Sequence, residues 1–347
     1  MIALPRLQTP IFLAPMAGGF NTPELVAAVA NAGGVGSFGF AYSSPEAIDR
    51  SLVVASTQTT GLINANFFVF PEVAAPQPDR VAAALHALNA ILPHGLLDES
   101  VLIPPYVPDL ATQLEPVWQR RPAMVTFHFG IPPIALIEQA HALGITVGIT
   151  ATCVAEATQI AAAGADFVVA QGWEAGGHRG CFDTTEMDQE QDLLALVQAM
   201  AKHISLPIVA AGGLMTGGDI ATVLSAGATA AQLGTAFLCC PEANASASHR
   251  ALLLAKEPRD TVFTSAFSGR SARGIQNRFI DVMRGKELLE FPLQNSLTAA
   301  LRQWALQHEN AEFQSVWAGS RYRDIRPLPA ARLMQILNGE IKVALSE

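Results

Sequence analysis

The run Gln171-Gly-Trp-Glu-Ala-Gly-Gly-His-Arg-Gly180 holds the residues best suited to chemistry. His178 is the side chain in it whose unperturbed pKa lies nearest neutral pH, so it can donate or accept a proton. Gly176-Gly177 lets backbone approach a ligand with no Cβ in the way. Taken alone, His178 also fits a solvent-exposed loop histidine. His128, in Phe127-His-Phe-Gly130, fits a ligand-facing group or a core histidine bonded to a carbonyl. Asn66 and Gln171 fit ligand contacts or groups that satisfy buried backbone. Glu174 could serve as a base, although a loop glutamate is more often solvated or structural. Adjacent Cys239-Cys240 reads as packing, with nothing nearby to activate a thiolate.

These residues need a scaffold that brings them together, and the chain supplies a regular one. Short apolar runs alternate with alanine-rich helical stretches. The strand candidates are 11–14, 35–38, 62–66, 124–127, 146–150, 167–170, 207–211 and 230–233. Helices are expected near 22–32, 45–56, 79–92, 133–143 and 219–226, with another ending at Gly164. Thr22-Pro23-Glu24 is a good helix start: a hydroxyl cap, then proline in the first turn. Val101–Ile103 is a ninth strand candidate, demoted because Pro104-Pro105 stops it. Counting the segment after Thr235 as a last helix makes eight βα units. That number suggests an α/β fold of the closed (β/α)8 TIM-barrel type. A doubly wound open sheet is the alternative, but it usually shows GxGxxG after its first strand. Residues 1–242 would form the barrel. Residues 243–317 read as a mainly helical subdomain, without clear strands, over the active-site end. Residues 318–347 would pack back on the barrel, with 330–345 as a closing helix.

In such a barrel the C-terminal strand ends share one rim. That rim would carry Ala14 and Met16, Asn66, His128, Thr150 and Thr152, Gln171 and His178, Gly213, and Gly234-Thr235. It holds amides, hydroxyls and two histidines, with no carboxylate pair and no metal cluster. Ala211-Gly-Gly-Leu214 and Gln232-Leu-Gly-Thr235 resemble a phosphate site, since N–H groups at glycine turns and helix starts bind phosphate without a lysine. Tight turns alone would also explain those glycines.

Composition narrows the functional classes. Half of the 347 residues are hydrophobic and 15% are charged, so a large core is available. A net charge of -9 gives no general attraction to nucleic acid or anionic membrane. No apolar run reaches spanning length, and the N-terminus lacks signal-peptide features. The spacing of Cys153, Cys181, Cys239 and Cys240 fits neither zinc nor a disulfide scaffold, so a reducing cytoplasm is the simplest reading. The arginines and lysines between Arg250 and Lys286, Arg270 and Arg273 among them, read mostly as a solvated face.

Taken in order, several motifs resemble the nitronate monooxygenase family, in its bacterial class I branch. They are Ala14-Pro-Met-Ala-Gly-Gly-Phe-Asn-Thr-Pro-Glu-Leu25, Asn31-Ala-Gly-Gly34, Asn66-Phe67, Val125-Thr-Phe-His-Phe-Gly130, the 171–180 run, Ala211-Gly-Gly213, Gln232-Leu-Gly-Thr-Ala-Phe237, Cys240-Pro-Glu242, the run 266–275 and Trp317-Ala-Gly319. The resemblance implies an FMN-binding barrel. It also implies FMN contacts from Ala14, Met16, Asn66, Gln171, Gly176, Gly213, Gln232, Leu233, Gly234 and Thr235, the last four around the phosphate. His178 would lie near the reactive flavin edge and His128 near the nitro group. The implied reaction is oxidation of a small anionic nitronate, such as propionate 3-nitronate, by O2 to a carbonyl compound and nitrite or nitrate, a detoxification. A monomer or homodimer is expected. Phe70 and Ser320 depart from the family's common histidine and glutamine, which bears on substrate range. A flavin-dependent NAD(P)H reductase of the same barrel type, and a flavin-binding protein with incidental turnover, are the competing readings.

Overall fold

The computed structural model describes residues 2–91 and 102–346. Eight parallel strands close into a barrel: β1 (Ile11–Leu13), β2 (Val35–Gly39), β3 (Leu62–Phe68), β4 (Met124–His128), β5 (Thr146–Ala151), β6 (Phe167–Gln171), β8 (Ile208–Ala211) and β9 (Ala230–Leu233). The two-residue β7 (Gly177–His178) lies outside it, in the loop after β6. Closure comes from β1 on β9, with Phe12 opposite Gln232. Phe12, Val35, Met124, Phe167, Val169 and Val209 fill the barrel interior. Gly148 on β5 is required there, because a Cβ would lie 2.2 Å from the Phe167 ring. A larger apolar layer between sheet and helices surrounds this plug.

The helices begin where side chains cap them. Thr22 accepts from the Leu25 N–H ahead of Pro23–Asn31, and Thr216 and Asp219 form a capping box at Gly217–Ser225. Two helices stand where no element is expected from the sequence. Leu110–Arg120 contains Pro116, which disguises it. Leu193–His203 follows a polar stretch, yet its apolar, alanine-rich sequence is a fair helix signal.

The eighth barrel helix differs from expectation. After β9 only a short 3-10 turn, Thr235–Phe237, follows. The helix packed between Gly217–Ser225 and Pro23–Asn31 is Ala330–Ala344, close to the C-terminus. The Gly217 N–H donates to Glu340 at 2.7 Å, and a Cβ on Gly217 would sit 2.3 Å from Glu340 Cβ. The intervening chain is therefore an insertion between the last strand and its helix. It also contains strands, contrary to the helix-and-loop reading. β10 (Thr261–Thr264) and β11 (Ala272–Ile275) are antiparallel, and β11 pairs with β7. The insertion remains mainly helical, with a second apolar cluster around Phe267, Phe279, Leu293 and Leu301. Residue 92, in the expected helix 79–92, and Val101 lie outside the described residues; Ile103 is exposed and not in a strand. No helix among the described residues is long and apolar enough to cross a membrane.

Candidate active site

A cavity of about 880 Å³ opens at the C-terminal ends of the strands, under the insertion. That size suits a small-molecule or cofactor site. The catalytic and cofactor-binding candidates named from the sequence line it: Ala14, Met16, Asn66, His128, Gln171, Gly176, His178, Gly213, Gln232, Leu233, Gly234 and Thr235; of the two rim threonines, Thr150 lines it and Thr152, bonded to Glu156, does not. No aspartate or glutamate lines it among the described residues, although the chain as a whole is acidic. Nor does any group of three His, Cys, Asp or Glu among those residues converge as a metal site.

The His178 loop is held from several sides. Gln171 spans it: its Nε2 donates to the His178 carbonyl at 2.9 Å and its Oε1 accepts from Gly180 N at 2.7 Å. His128 Nε2 meets the same carbonyl at 3.3 Å. Gly180 has to be glycine here, since a Cβ would lie 2.6 Å from the His128 ring. The Gly176 position is equally tight, with a Cβ 2.5 Å from the Ala318-Gly319 backbone. Thus Gln171 satisfies buried backbone, one of its two readings from the sequence, and His128 is bonded to a carbonyl while its ring lines the cavity.

Both imidazoles are neutral at physiological pH. Desolvation holds His178 down to about 3, helped by His128, Arg270 and Arg302. His128 is lowered to about 3, again chiefly by desolvation and then by Arg270. The His178 Nε2 lies 2.9 Å from the Ser268 hydroxyl, which also reaches the Arg270 carbonyl at 3.0 Å. That hydroxyl has one proton. Donated to Arg270, it requires His178 to carry Nε2–H and leaves Nδ1 as a base. Turned to His178 Nε2, it places the proton of the ring on Nδ1 as a donor. Phe68, Phe129, Phe291 and Trp317 surround the imidazole, with ring centroids 5.6 to 6.1 Å away.

Three residues outside the sequence-stated site build this end. Arg270 is buried, lies 3.8 Å from the Phe129 ring centroid, and donates to the Arg179 and Cys181 carbonyls. Arg273 donates twice to the Trp173 carbonyl, at 3.1 and 2.9 Å, and lies over Phe263. Arg179 is buried, paired with Asp188 at 2.7 Å, and donates to the Gln171 carbonyl at 2.5 Å. Arg270 and Arg273 therefore correct the solvated-face reading. Buried guanidinium groups are retained because carbonyls and aromatic faces replace their water. Their place inside the run 266–275, itself one of the family-like motifs, was the available signal.

The opposite end is built from backbone. Gly213 has φ +65°, and its N–H has no partner among the described residues. The N–H groups of Gly234 and Thr235 are likewise unpaired there, at the start of the 3-10 turn. Thr235 Oγ1 accepts from Gly319 N at 3.0 Å, leaving its proton to donate. Asn66, on β3, lines the same cavity. Its Nδ2 donates to Thr126 Oγ1 at 3.0 Å, while Oδ1 has no partner among the described residues.

The family model described as nitronate monooxygenase matches residues 1–339 of this chain. The chain belongs to the nitronate monooxygenase family. It is 40% identical over 342 residues to a nitronate monooxygenase of Pseudomonas aeruginosa, covering 97% of each chain. A nitronate monooxygenase of Paraburkholderia phytofirmans is 37% identical over 358 residues, covering 100% of this chain and 96% of the relative. Among solved structures, nitroalkane oxidase from Streptomyces ansochromogenes is similar with a TM-score of 0.89 at 34% identity, over 98% of this chain and 97% of that one. FabK from Thermotoga maritima has a TM-score of 0.76 at 23% identity, over 98% and 94%, a likeness of fold alone.

The nitronate monooxygenase family is one of flavin-dependent oxidoreductases, and the donor set here fits such a cofactor. Three unpaired N–H groups and one hydroxyl suit a phosphate. Ala14 and Met16 border them: a Cβ on Gly234 would be 3.2 Å from Ala14 Cβ and 3.7 Å from Met16 Sδ.

Proposed function

We propose that this member of the nitronate monooxygenase family binds FMN and oxidises alkyl nitronates, propionate 3-nitronate among them, with O2 to a carbonyl compound and nitrite or nitrate. The observation that carries the reading is the cavity wall. It has unpaired backbone donors at one end, two neutral histidines at the other, and no acid among the described residues. Such a wall favours anions at both ends.

On this reading Gly213, Gly234 and Thr235 hold the phosphate, and Asn66, Gln171, Gly176, Ala14, Met16, Gln232 and Leu233 frame the rest of the cofactor. When bound, FMN supplies the electron acceptance and the reduction of O2 that no side chain can provide. A nitronate is already deprotonated, so His178 has no proton to remove from it. The anion selects the tautomer in which Ser268 donates to Nε2 and the Nδ1–H points to a nitronate oxygen. A neutral nitroalkane selects the other tautomer, with Nδ1 as general base. His128 donates its Nε2–H to the His178 carbonyl, so it steadies the loop that carries His178, and its bare Nδ1 offers no donor to the anion. The surrounding phenylalanines exclude water, which strengthens each polar contact.

The test mixes purified, FMN-loaded protein with propionate 3-nitronate and follows oxygen uptake and nitrite. Uptake with nitrite release is expected. Absence of a flavin spectrum in protein reconstituted with FMN, or no uptake alongside rapid NADPH oxidation by a quinone or enoyl thioester, would overturn the proposal.

A further inference from the structure

The helix Ala299–Gln307 crosses the cavity with one face: Ala299, Arg302, Gln303 and Leu306 line it at helical spacing. Arg302 is the notable member. Its Nη2 donates to the Asn295 carbonyl at 2.7 Å and to Asn295 Oδ1 at 2.9 Å, and its Nε lies 3.4 Å from Thr298 Oγ1. Its Nη1 has no partner among the described residues, and no carboxylate pairs with it there. The other cavity-lining arginine, Arg321, is instead bound to Asp219 and Asp324. Burial lowers the Arg302 pKa, opposed by nearby Tyr42, yet a guanidinium stays charged at neutral pH. Tyr42 also lines the cavity, and its phenol keeps its proton at neutral pH and can donate it.

Arg302 shares a frame with His178. Thr298, which caps the Arg302 helix, donates through Oγ1 to the Phe267 carbonyl at 2.5 Å. Phe267 adjoins Ser268, the hydroxyl partner of His178. Arg302 is also close enough to depress the His178 pKa. A cation without a carboxylate partner is thus held near His178, in a cavity that no acid lines among the described residues.

We propose that Arg302, assisted by Tyr42, is a specificity-determining residue that binds the carboxylate of dianionic nitronates. The nitronate group would lie at His178 and the carboxylate at the Arg302 fork, so the preferred substrates are short nitronates with a terminal acid. This assignment rests on the proposed nitronate oxidation, and the experiment separates the two. FMN-loaded wild type and Arg302→Gln are compared with propionate 3-nitronate and with propyl-1-nitronate, which lacks the carboxylate. The variant should raise KM for the dianion about 10- to 100-fold, the loss expected for a charged hydrogen bond. For propyl-1-nitronate, KM should change less than about twofold on the same basis, with kcat similar for both. Arg302→Lys should restore part of the loss, as charge without the fork. Calorimetric titration with succinate and the uncharged butyramide, which lacks a carboxylate, gives a readout independent of turnover, and only succinate should weaken in Arg302→Gln. Equal weakening of both ligands, or unchanged succinate affinity, overturns the Arg302 assignment. Oxygen uptake by wild type with neither nitronate overturns the oxidation reading instead, and the succinate titration still decides the role of Arg302.

Discussion

The two ends of the cavity are built in different ways. The phosphate-like end is backbone of the barrel itself: Gly213, Gly234 and Thr235, on turns that follow β8 and β9 directly. The histidine end depends on side chains from distant sequence. Arg270, Arg273 and Ser268 come from the insertion, and Trp317 from beyond its helices, all converging on the loop after β6. A glycine turn can offer N–H groups with no further support. A neutral, oriented imidazole requires burial, a tautomer partner and a fixed ring plane, so more of the molecule is committed to it. Changes at the first end should act on cofactor affinity, and changes at the second on turnover.

The largest separation is expected from His178→Asn. Turnover of propionate 3-nitronate should fall about 100-fold or more, the scale of a lost general acid–base or anion-stabilising group. FMN content after reconstitution should match wild type, read by the ratio of flavin to protein absorbance. Turnover within twofold of wild type would remove His178 from the mechanism.

Gly213→Ala probes the other end. Its φ of +65° disfavours any side chain, and the new Cβ would lie 2.8 Å from Glu174 Cβ. Left-handed backbone costs about 1–2 kcal/mol for an L residue, so FMN should bind about tenfold more weakly, measured by fluorescence titration. The FMN-saturated variant should retain wild-type kcat. A loss of kcat at saturation would mean that the two ends are not separable.

Ser268→Ala should have a smaller effect, confined to the histidine end. Losing one hydrogen bond is worth about 1 kcal/mol, so kcat should drop about fivefold with FMN affinity unchanged. Ser268→Thr, which keeps the hydroxyl, should recover most of the rate. If Thr and Ala behave alike, Ser268 supports packing and does not position the ring.

This contrast also explains what was legible in the sequence. Buried parallel strands are continuous apolar runs, so all eight barrel strands could be located, and a strand's C-terminal end marks the rim. His128, His178 and the glycine turns follow from that position alone. The eighth helix was misplaced because a neighbour in space, Ala330–Ala344, lies far along the chain from β9. β10 and β11 have four residues each, too short for a period to emerge, and β11 contains two residues, Arg273 and Gly274, that read as surface or turn. Arg270 and Arg273 looked solvated because only tertiary structure reveals the carbonyls and rings that receive them.

The smallest expected effect concerns acid stability. His178 is held near 3 in the folded protein, against about 6.5 when unfolded. Between those values the unfolded chain binds the extra proton, so stability is fully present above about pH 6.5 and is lost as pH falls below it. From pH 7 to 5.5 the loss is about 1 kcal/mol for one such histidine. His128, also near 3, contributes in the same direction. The phosphate-like end has no titrating side chain among Gly213, Gly234 and Thr235. Urea unfolding at the two pH values should therefore show the decrement reduced by about 1 kcal/mol in His178→Asn and unchanged in Gly213→Ala. An unchanged decrement in His178→Asn would mean that its imidazole titrates alike in the folded and unfolded states. The anion would then meet a cation below about pH 6.5, and the tautomer role of Ser268 would be confined to higher pH.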